Sequence, residues 1–248
     1  WRFAIQNAIQ ISITKALRLT FTGITIGFLT PNRIGEIPAR VALLKSKDFN
    51  GILLKTMAAS FSQVIITFFV GGIGLMLTQD YFSLGLSHTA LNLIVVSTLT
   101  VLLLFYFRVK KIATVLTKAR FLNTQKLLSA LMELRFKVLL SLLMYSLTRY
   151  FVFCLQYFLV LKAFGVELIN VQAIFLIPVC FLIASTIPTI LISEIGVRGS
   201  VALFVFGAVS NFDLQIIAAS IVLWLINVAL PALLGLYDLK ELRLMKEK

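Results

Sequence analysis

Residues 56–78 read TMAASFSQVIITFFVGGIGLMLT, an apolar run in which no side chain is charged. A helix needs about 20 consecutive, mostly apolar residues to cross the hydrocarbon core of a bilayer. A transmembrane β-barrel would instead show short strands of alternating hydrophobicity, and this stretch has no such alternation. Residues 56–78 therefore predict a membrane-spanning α-helix.

The rest of the chain shares this composition. It is 60% hydrophobic and 13% charged, whereas soluble domains average about 45–50% apolar and about 25% charged residues. Further apolar runs lie at 90–107, 138–163, 171–192, 198–212 and 214–237. The sequence predicts an all-α fold, a polytopic transmembrane helical bundle that forms one integral membrane domain over residues 1–248.

The positive charge of the chain indicates its orientation in the membrane. The net charge is +13, and Lys and Arg gather between the apolar runs, which is typical of cytoplasmic loops that meet anionic headgroups. We therefore expect loops 31–55 and 108–137 and the C-terminal tail in the cytoplasm, and loops 79–89 and 163–170 outside. Because membrane phospholipids account for this charge, we expect no nucleic acid partner.

Segment 108–137 is the most basic part of the chain, with eight Lys or Arg residues and one acid, Glu133. Its leucines recur at a helical spacing, at positions 127, 128, 131 and 134. A basic helix with one apolar face lies in the membrane interface. The segment therefore predicts an amphipathic helix on the cytoplasmic face.

The reactive side chains offer little for catalysis or metal binding. Cys154 and Cys180 lie inside apolar runs, and His88 is the only histidine, so we expect neither a disulfide framework nor a metal site. No Ser-His-Asp or paired-carboxylate constellation is visible, so we expect no enzyme activity and no cofactor. The chain opens with Trp1 rather than Met, and we expect further N-terminal helices to precede it.

One charged pentapeptide occurs twice in this apolar chain, as EIPAR at 36–40 and EIGVR at 194–198. A charge at mid-bilayer costs on the order of 3 kcal/mol on insertion scales, so each copy needs a local reason. Within each copy the Glu and the Arg are four residues apart, which places them on one helical face where they can neutralise each other.

Helix-breaking residues surround both copies: Pro31, Gly35, Pro38, Pro188 and Gly196. They predict broken helices, which are tolerated at membrane depth only where protein or a water-filled cavity surrounds them. The new helix N-terminus and its Arg would then bind a phosphate or carboxylate. In the alternative interpretation these are interfacial loops whose arginines touch headgroups and whose prolines merely end helices.

The two copies are separated by three predicted spans. An odd number of crossings inverts the second copy relative to the first, which is the arrangement of an inverted-topology repeat. Five residues with three identities are weak evidence of a repeat, but the preceding prolines and the inverted placement both favour it.

A third charge, Arg149, lies near the middle of the predicted span 138–163. Gln156 follows it by seven residues, on the same helical face, and Tyr145 precedes it by one turn. Arg149 either lines a polar cavity, with Glu36 or Glu194 as its natural partner, or snorkels and binds backbone carbonyls.

Two stretches resemble one known family. LTPNRIGEIPARVALL at 29–44 resembles the family pattern L-P-x-R-x-G-E-x-x-R-x-x-x-L, and IPTILISEIGVRGSVALF at 187–204 resembles its later stretch that ends in I-G-V-R. The family is the lysylphosphatidylglycerol synthetase transmembrane-region family, which includes the flippase part of the multiple-peptide-resistance factor. The resemblance implies an integral protein of the bacterial inner membrane, some of whose relatives move aminoacylated phospholipid between leaflets.

The resemblance carries over to individual residues of the two motifs. The matching positions are Pro31, Arg33, Gly35, Glu36, Arg40, Ile195, Gly196, Val197 and Arg198. Family members usually have Gly-Gly before Ile-Gly-Val-Arg and an acid after it, whereas here Ser193 and Glu194 precede it and Gly199 follows it. The role of Glu194 is therefore not inherited from the family.

The sequence therefore predicts a lipid flippase that moves an anionic or modified phospholipid or a lipid-linked substrate. The predicted substrate-binding residues are Arg33, Glu36, Arg40, Arg149, Gln156, Glu194 and Arg198. The expected partners are membrane phospholipids and either a second copy of the chain or envelope-synthesis enzymes. The alternatives are a lipid-binding accessory protein with a closed interior, and a membrane enzyme that uses Glu36 or Glu194 as a base.

Overall fold

A computed structural model of the chain describes residues 1–82, 85–108, 134–168, 171–190 and 193–244. Helices make up most of the described residues, and these residues contain no strand. The predicted all-α fold is therefore confirmed. Most of the basic segment 108–137 lies outside the described residues, so its amphipathic helix stays a prediction.

Eleven α-helices follow one another within the described ranges. They are α1 (Arg2–Ile5), α2 (Ile13–Phe28), α3 (Glu36–Ala42), α4 (Phe49–Thr78), α5 (His88–Phe107), α6 (Phe136–Ala163), α7 (Val171–Ile174), α8 (Leu176–Thr186), α9 (Ser193–Phe206), α10 (Asp213–Trp224) and α11 (Leu230–Leu244). A 3-10 turn, Pro31–Arg33, separates α2 from α3. A π-helical turn, Leu225–Ala229, joins α10 to α11.

Within the described ranges, four stretches are long and apolar enough to cross a membrane: Phe49–Tyr81, His88–Phe107, Phe136–Ala163 and Asp213–Leu239. They contain four complete predicted spans, 56–78, 90–107, 138–163 and 214–237. The chain thus has the helices of a polytopic membrane protein.

The predicted spans 171–192 and 198–212 differ from what the structure shows. The first of them contains α7 and α8, and α8 has only 11 residues, fewer than a helix needs to cross a bilayer alone. Residues that precede a proline avoid the helical conformation. Ile187, before Pro188, is accordingly extended, with φ −89° and ψ 119°. The helix that follows begins at Ser193 and ends at Phe206.

The chain divides into two compact units. Unit 1 comprises Trp1–Ser62, Phe105–Leu143 and Ile226–Lys248, and unit 2 comprises Gln63–Leu104 and Met144–Leu225. The single membrane domain over residues 1–248 stays a prediction beside this division.

Unit 1 is built around α2, which packs against α3 and α11. The Thr25 hydroxyl on α2 donates a hydrogen bond to the Ala232 carbonyl on α11, at 2.7 Å. Gly235 on α11 lies so close to the Phe21 carbonyl that a Cβ atom at this position would overlap it. Small residues at a helix contact let two backbones approach in this way, so α11 holds α2 in place.

Tyr106 on α5 joins three helices of unit 1 through its hydroxyl group. It donates to the Leu139 carbonyl on α6 at 3.0 Å and lies 2.7 Å from the Ser62 hydroxyl on α4. Both Tyr106 and Ser62 are buried. A buried hydroxyl that lacks a partner is costly in an apolar interior, so these bonds fix the contacts among the three helices.

We expect Tyr106→Phe to lower the free energy of unfolding by about 1 kcal/mol, the usual net value of one hydrogen bond. The Ser62 hydroxyl keeps its bond to the Ala58 carbonyl, which limits the loss. Thermal denaturation in detergent micelles measures the change. Tyr237→Phe is the matched control, because Tyr237 is exposed, and equal effects of the two variants would contradict the role of Tyr106.

Unit 2 contains the glycine-rich part of α4, which packs against α8. A Cβ atom on Gly71 would lie 3.0 Å from the Pro178 carbonyl oxygen, and one on Gly74 would lie 2.8 Å from the Phe175 carbonyl oxygen. The GGIG sequence at 71–74 is therefore a site of close helix packing. The core of the unit is formed by large apolar residues of α6, α8, α9 and α10, among them Leu161, Leu176, Phe206 and Ile216.

Candidate functional site

The first predicted break lies between α2 and α3, where Thr30 organises the chain. Its hydroxyl donates to the Gly27 carbonyl at 2.8 Å and accepts the Gly35 amide at 2.9 Å. Thr30 is extended, with φ −118° and ψ 147°, as a residue before proline prefers. Pro31 begins the 3-10 turn and Gly35 caps the N-terminus of α3.

Pro38 differs from its predicted role as a helix break. It is the third residue of α3, within the first helical turn. The amide groups of this turn have no partner inside the helix, so a proline here removes no helical hydrogen bond. The helix therefore continues through Pro38 to Ala42.

Two glycines on α2 allow α3 to pack directly on its backbone. A Cβ atom on Gly27 would lie 2.8 Å from the Cβ atom and 3.2 Å from the amide nitrogen of Glu36. A Cβ atom on Gly23 would lie 3.1 Å from the Glu36 carbonyl oxygen. Glycines four residues apart share one face of a helix. The sequence prediction missed this pair, although its G-x-x-x-G spacing was the available signal.

The Glu36 carboxylate and the Arg40 guanidinium form an ion pair on α3, at the spacing that the sequence indicated. Arg40 is only 8% exposed. Its Cζ atom lies 5.1 Å from the centroid of the Trp1 ring, a distance typical of a cation–π contact. The Trp1 indole in turn donates to the Thr56 hydroxyl at 2.9 Å. Arg40 is thus held between an acid and an aromatic ring.

Arg33 ends the 3-10 turn in a conformation that is uncommon for a residue with a Cβ atom. Its φ is 56°, in the left-handed region. This backbone conformation costs a residue with a Cβ atom on the order of 1–3 kcal/mol of conformational energy. Its side chain is half-buried. Unit 1 therefore holds Arg33, Glu36 and Arg40 within one broken-helix element.

The second predicted break lies between α8 and α9. The Ser193 hydroxyl accepts the Ile190 amide at 3.0 Å and donates to the Ile190 carbonyl at 2.6 Å. Pro188 lies within this break. Gly196, predicted as a further break, is instead the fourth residue of α9. A single glycine costs a helix only about 1 kcal/mol, so α9 continues through it.

The Glu194 carboxylate and the Arg198 guanidinium form the second ion pair. Glu194 Oε1 lies 2.8 Å from both Nε and Nη2 of Arg198. Glu194 is 7% exposed, whereas the Arg198 side chain is 32% exposed. Glu194 lies in the first turn of α9, where the helix dipole favours a negative charge.

A small cavity lies beside Arg198 inside unit 2. Its volume is about 10 Å³, which is room for about one water molecule. The cavity is lined by Tyr157, Cys180, Phe181, Ala184, Arg198, Ser220 and Leu223. The Tyr157 hydroxyl lies 3.8 Å from the Cys180 sulfur. The sequence prediction missed Tyr157 and Ser220. The sequence does not indicate which neighbouring helix is contacted by a single hydroxyl-bearing side chain in an apolar run.

Arg149 is the 14th of the 28 residues of α6 and is exposed. Its Cζ atom lies 5.1 Å from the centroid of the Phe153 ring, one turn away. Gln156 is half-buried, and Tyr145 is exposed. Unit 2 therefore contains the predicted site residues Arg149, Gln156, Glu194 and Arg198.

Comparison with known proteins identifies the family of the chain. The family model described as lysylphosphatidylglycerol synthase TM region matches residues 1–235. No curated protein and no solved structure matches the chain. The matched region includes both broken-helix elements, and the family indicates a membrane protein of lipid biosynthesis or flipping. The chain therefore belongs to the lysylphosphatidylglycerol synthase TM region family.

Proposed function

We propose that the protein is a flippase of the bacterial inner membrane, with a cytoplasmic C-terminus, and that it moves an anionic or modified phospholipid or a lipid-linked substrate. The observation that carries this proposal is the Glu194–Arg198 ion pair. It lies at the start of a helix that follows a break, beside a small cavity that the side chains of Tyr157 and Ser220 also line. A charge in such apolar surroundings is expensive, so its presence indicates function.

Two anions can bind the Arg198 guanidinium: the Glu194 carboxylate and a phosphate group. An Arg guanidinium has five N–H donors in a planar fork that binds a carboxylate or a phosphate through two hydrogen bonds. In the structure Glu194 occupies Nε and Nη2. A phosphate group that entered from the cavity would compete with Glu194 for the same donors. Exchange between these two anions keeps Arg198 paired throughout, so the charge is never left alone in apolar surroundings.

Release of Arg198 requires a movement of the helices around it. The cavity of about 10 Å³ admits about one water molecule and no lipid headgroup. We assign the structure to a closed state of the transport cycle. Opening would enlarge the space among Tyr157, Ser220 and Arg198, and the two hydroxyl groups would then donate to the phosphate oxygens.

The corresponding group in unit 1 is Arg40. It has the same i,i+4 partner, Glu36, and a similar position after a broken helix. We propose that Arg33 and Arg40 bind a lipid headgroup within unit 1. Arg149 and Gln156 would line the path along α6, because an arginine at the centre of a span needs a polar or charged contact.

A lipid-binding accessory protein that does not transport is the second candidate. The small size of the cavity beside Arg198 favours it, because a static binding protein needs no path between leaflets. Such a protein would bind phospholipids and contact a second copy of the chain or an envelope-synthesis enzyme. Neither candidate uses a catalytic group.

A flip assay in proteoliposomes tests the proposed function. A fluorescent phosphatidylglycerol is placed in both leaflets, and a membrane-impermeant quencher reports the rate at which inner-leaflet lipid reaches the outside. We expect Arg198→Gln and Arg40→Gln each to lower the rate at least tenfold, because each loses charge-assisted bonds to phosphate. Lys47→Gln is the control, because Lys47 is an exposed cation, and its rate should stay unchanged.

Two results would overturn the proposal in different ways. Unchanged rates for folded Arg198→Gln and Arg40→Gln would remove these residues from the path. A wild-type protein that binds phosphatidylglycerol saturably without accelerating flipping would instead support the accessory protein. The melting temperature of each variant, measured in the same lipid mixture, shows that a slow rate does not come from unfolding.

A further inference from the structure

Lys55 is a cation buried in unit 1 that the proposed path does not use. It lies on α4 and is 3% exposed. A half-open cavity of about 20 Å³ adjoins it. The cavity is lined by Phe3, Ala4, Gln6, Asn7, Lys55, Leu134 and Val138. Because a lysine and two amide side chains, Gln6 and Asn7, line the same cavity, the cavity is a candidate site for an anion.

The position of Lys55 along its helix places the cavity at headgroup depth. The span Phe49–Tyr81 has 33 residues, a length of roughly 50 Å. It exceeds the hydrocarbon core of about 30 Å, so its ends extend into the headgroup layers. Lys55 lies about 9 Å along the axis from Phe49, and Val138 lies at the third position of α6. The cavity therefore opens where phospholipid phosphates are found.

The walls of the cavity match a molecule with a charged head and an apolar tail. Lys55 supplies positive charge, and the exposed side chains of Gln6 and Asn7 supply N–H donors. Phe3, Leu134 and Val138 form an apolar wall. A cation, amide donors and an apolar surface together suit an anionic amphiphile better than a free inorganic ion.

Two basic residues lie next to lining residues of the cavity in the sequence. Arg135 and Lys137 are exposed and flank Leu134 and Val138 in the chain. Each basic residue near the membrane surface contributes about 1 kcal/mol of attraction to anionic lipid. These two side chains therefore raise the local concentration of anionic lipid next to Lys55.

We propose that this pocket binds the phosphate group of an anionic phospholipid, with one phosphate oxygen on the Lys55 ammonium. The ammonium has three donors, so it can keep a protein acceptor and bind this oxygen at the same time. The volume of about 20 Å³ holds one or two atoms of that size, and the remaining headgroup lies in the open mouth. A role for this pocket in supplying lipid for transport rests on the proposed function. The binding of lipid to the pocket does not rest on it.

Native mass spectrometry of the full chain in detergent micelles tests this site. Phosphatidylglycerol is titrated as the anionic probe, with phosphatidylcholine as the zwitterionic comparison. We expect Lys55→Met to weaken phosphatidylglycerol binding about tenfold, because one charge-assisted hydrogen bond is lost. The matched control is Lys47→Met, which removes an exposed lysine eight residues before Lys55 and should change the affinity less than twofold.

A second variant separates the site from folding. Val138→Phe fills the cavity and leaves Lys55 in place, and we expect a similar loss of phosphatidylglycerol binding. Unchanged affinity in both variants would overturn the proposal, and if Lys55→Met does not fold, Val138→Phe decides alone.

Inorganic phosphate at about 10 mM is in large excess over micromolar lipid. Adding it distinguishes a site for lipid phosphate from a site for free phosphate. Displacement of the lipid would overturn the lipid assignment in favour of a free-anion site, and an unchanged affinity supports it. The flip assay on Arg40 and Arg198 is independent, because a protein that binds lipid at Lys55 without flipping it would lose only the proposed function.

Discussion

Glu194→Gln is expected to lower the free energy of unfolding by about 3 kcal/mol, the lower end of what breaking a buried ion pair costs. The lower end applies because the Arg198 side chain is 32% exposed, so its charge is only partly buried within the protein. The variant keeps the volume of the side chain but removes its charge. The cost therefore comes from the Arg198 guanidinium, which remains in apolar surroundings without its carboxylate.

Removing both charges tests this explanation. We expect Glu194→Gln combined with Arg198→Met to recover most of the lost stability, because a buried ion pair can often be replaced by neutral groups at little cost. Chemical denaturation of the wild type, the two single variants Glu194→Gln and Arg198→Met, and the double variant in detergent micelles completes a double-mutant cycle. A double variant as unstable as Glu194→Gln would show that the Arg198 charge is not the cause.

The pair Asp80 and His88 provides the exposed control for this cycle. Its Oδ1 and Nε2 atoms are 3.6 Å apart, with side chains 78% and 61% exposed. Exposed ion pairs contribute about 0–1 kcal/mol, so we expect Asp80→Asn to leave the free energy of unfolding nearly unchanged. The two variants together compare the buried ion pair with an exposed contact of the Asp80 carboxylate.

The long helices follow from composition, because an uninterrupted apolar run crosses a membrane whatever its neighbours are. The predicted span 56–78 was correct but short at one end, since α4 begins at Phe49. Lys55 lies in this extension, and a helix accepts such a residue near its end, where a charge can reach the interface. The prediction of one span over 171–192 was wrong because it rested on the apolar composition of the whole run. That composition does not show that the residue before Pro188 leaves the helical conformation.

The ion pairs were predictable because charges are rare in this chain and their spacing of four residues is local. The groups around them were not predictable in the same way. Trp1 reaches Arg40 from 39 positions away in the sequence, at 5.1 Å, and Tyr157 and Ser220 join Arg198 from other helices. No periodicity within one segment reports such contacts, because they are set by how the helices pack.

Gly27→Ala is expected to lower the free energy of unfolding by about 3 kcal/mol, the upper end of the usual cost of overpacking. The new methyl group would lie 2.8 Å from the Glu36 Cβ and 3.2 Å from the Glu36 backbone. Neither atom can move without moving α3 itself. The variant therefore displaces the Glu36–Arg40 pair from α2, and we expect the rate of lipid flipping to fall together with the melting temperature.

Gly196→Ala is the matched control, because Gly196 is also inside a helix but has no atom within 4 Å of the added methyl group. Alanine favours a helix over glycine by up to about 1 kcal/mol, so this variant should be slightly more stable than the wild type. Thermal denaturation of both variants gives opposite signs if α3 packs on the Gly27 backbone. The same sign and size for both would mean that α2 and α3 separate freely in the membrane, and the first ion pair would then be mobile rather than held in place.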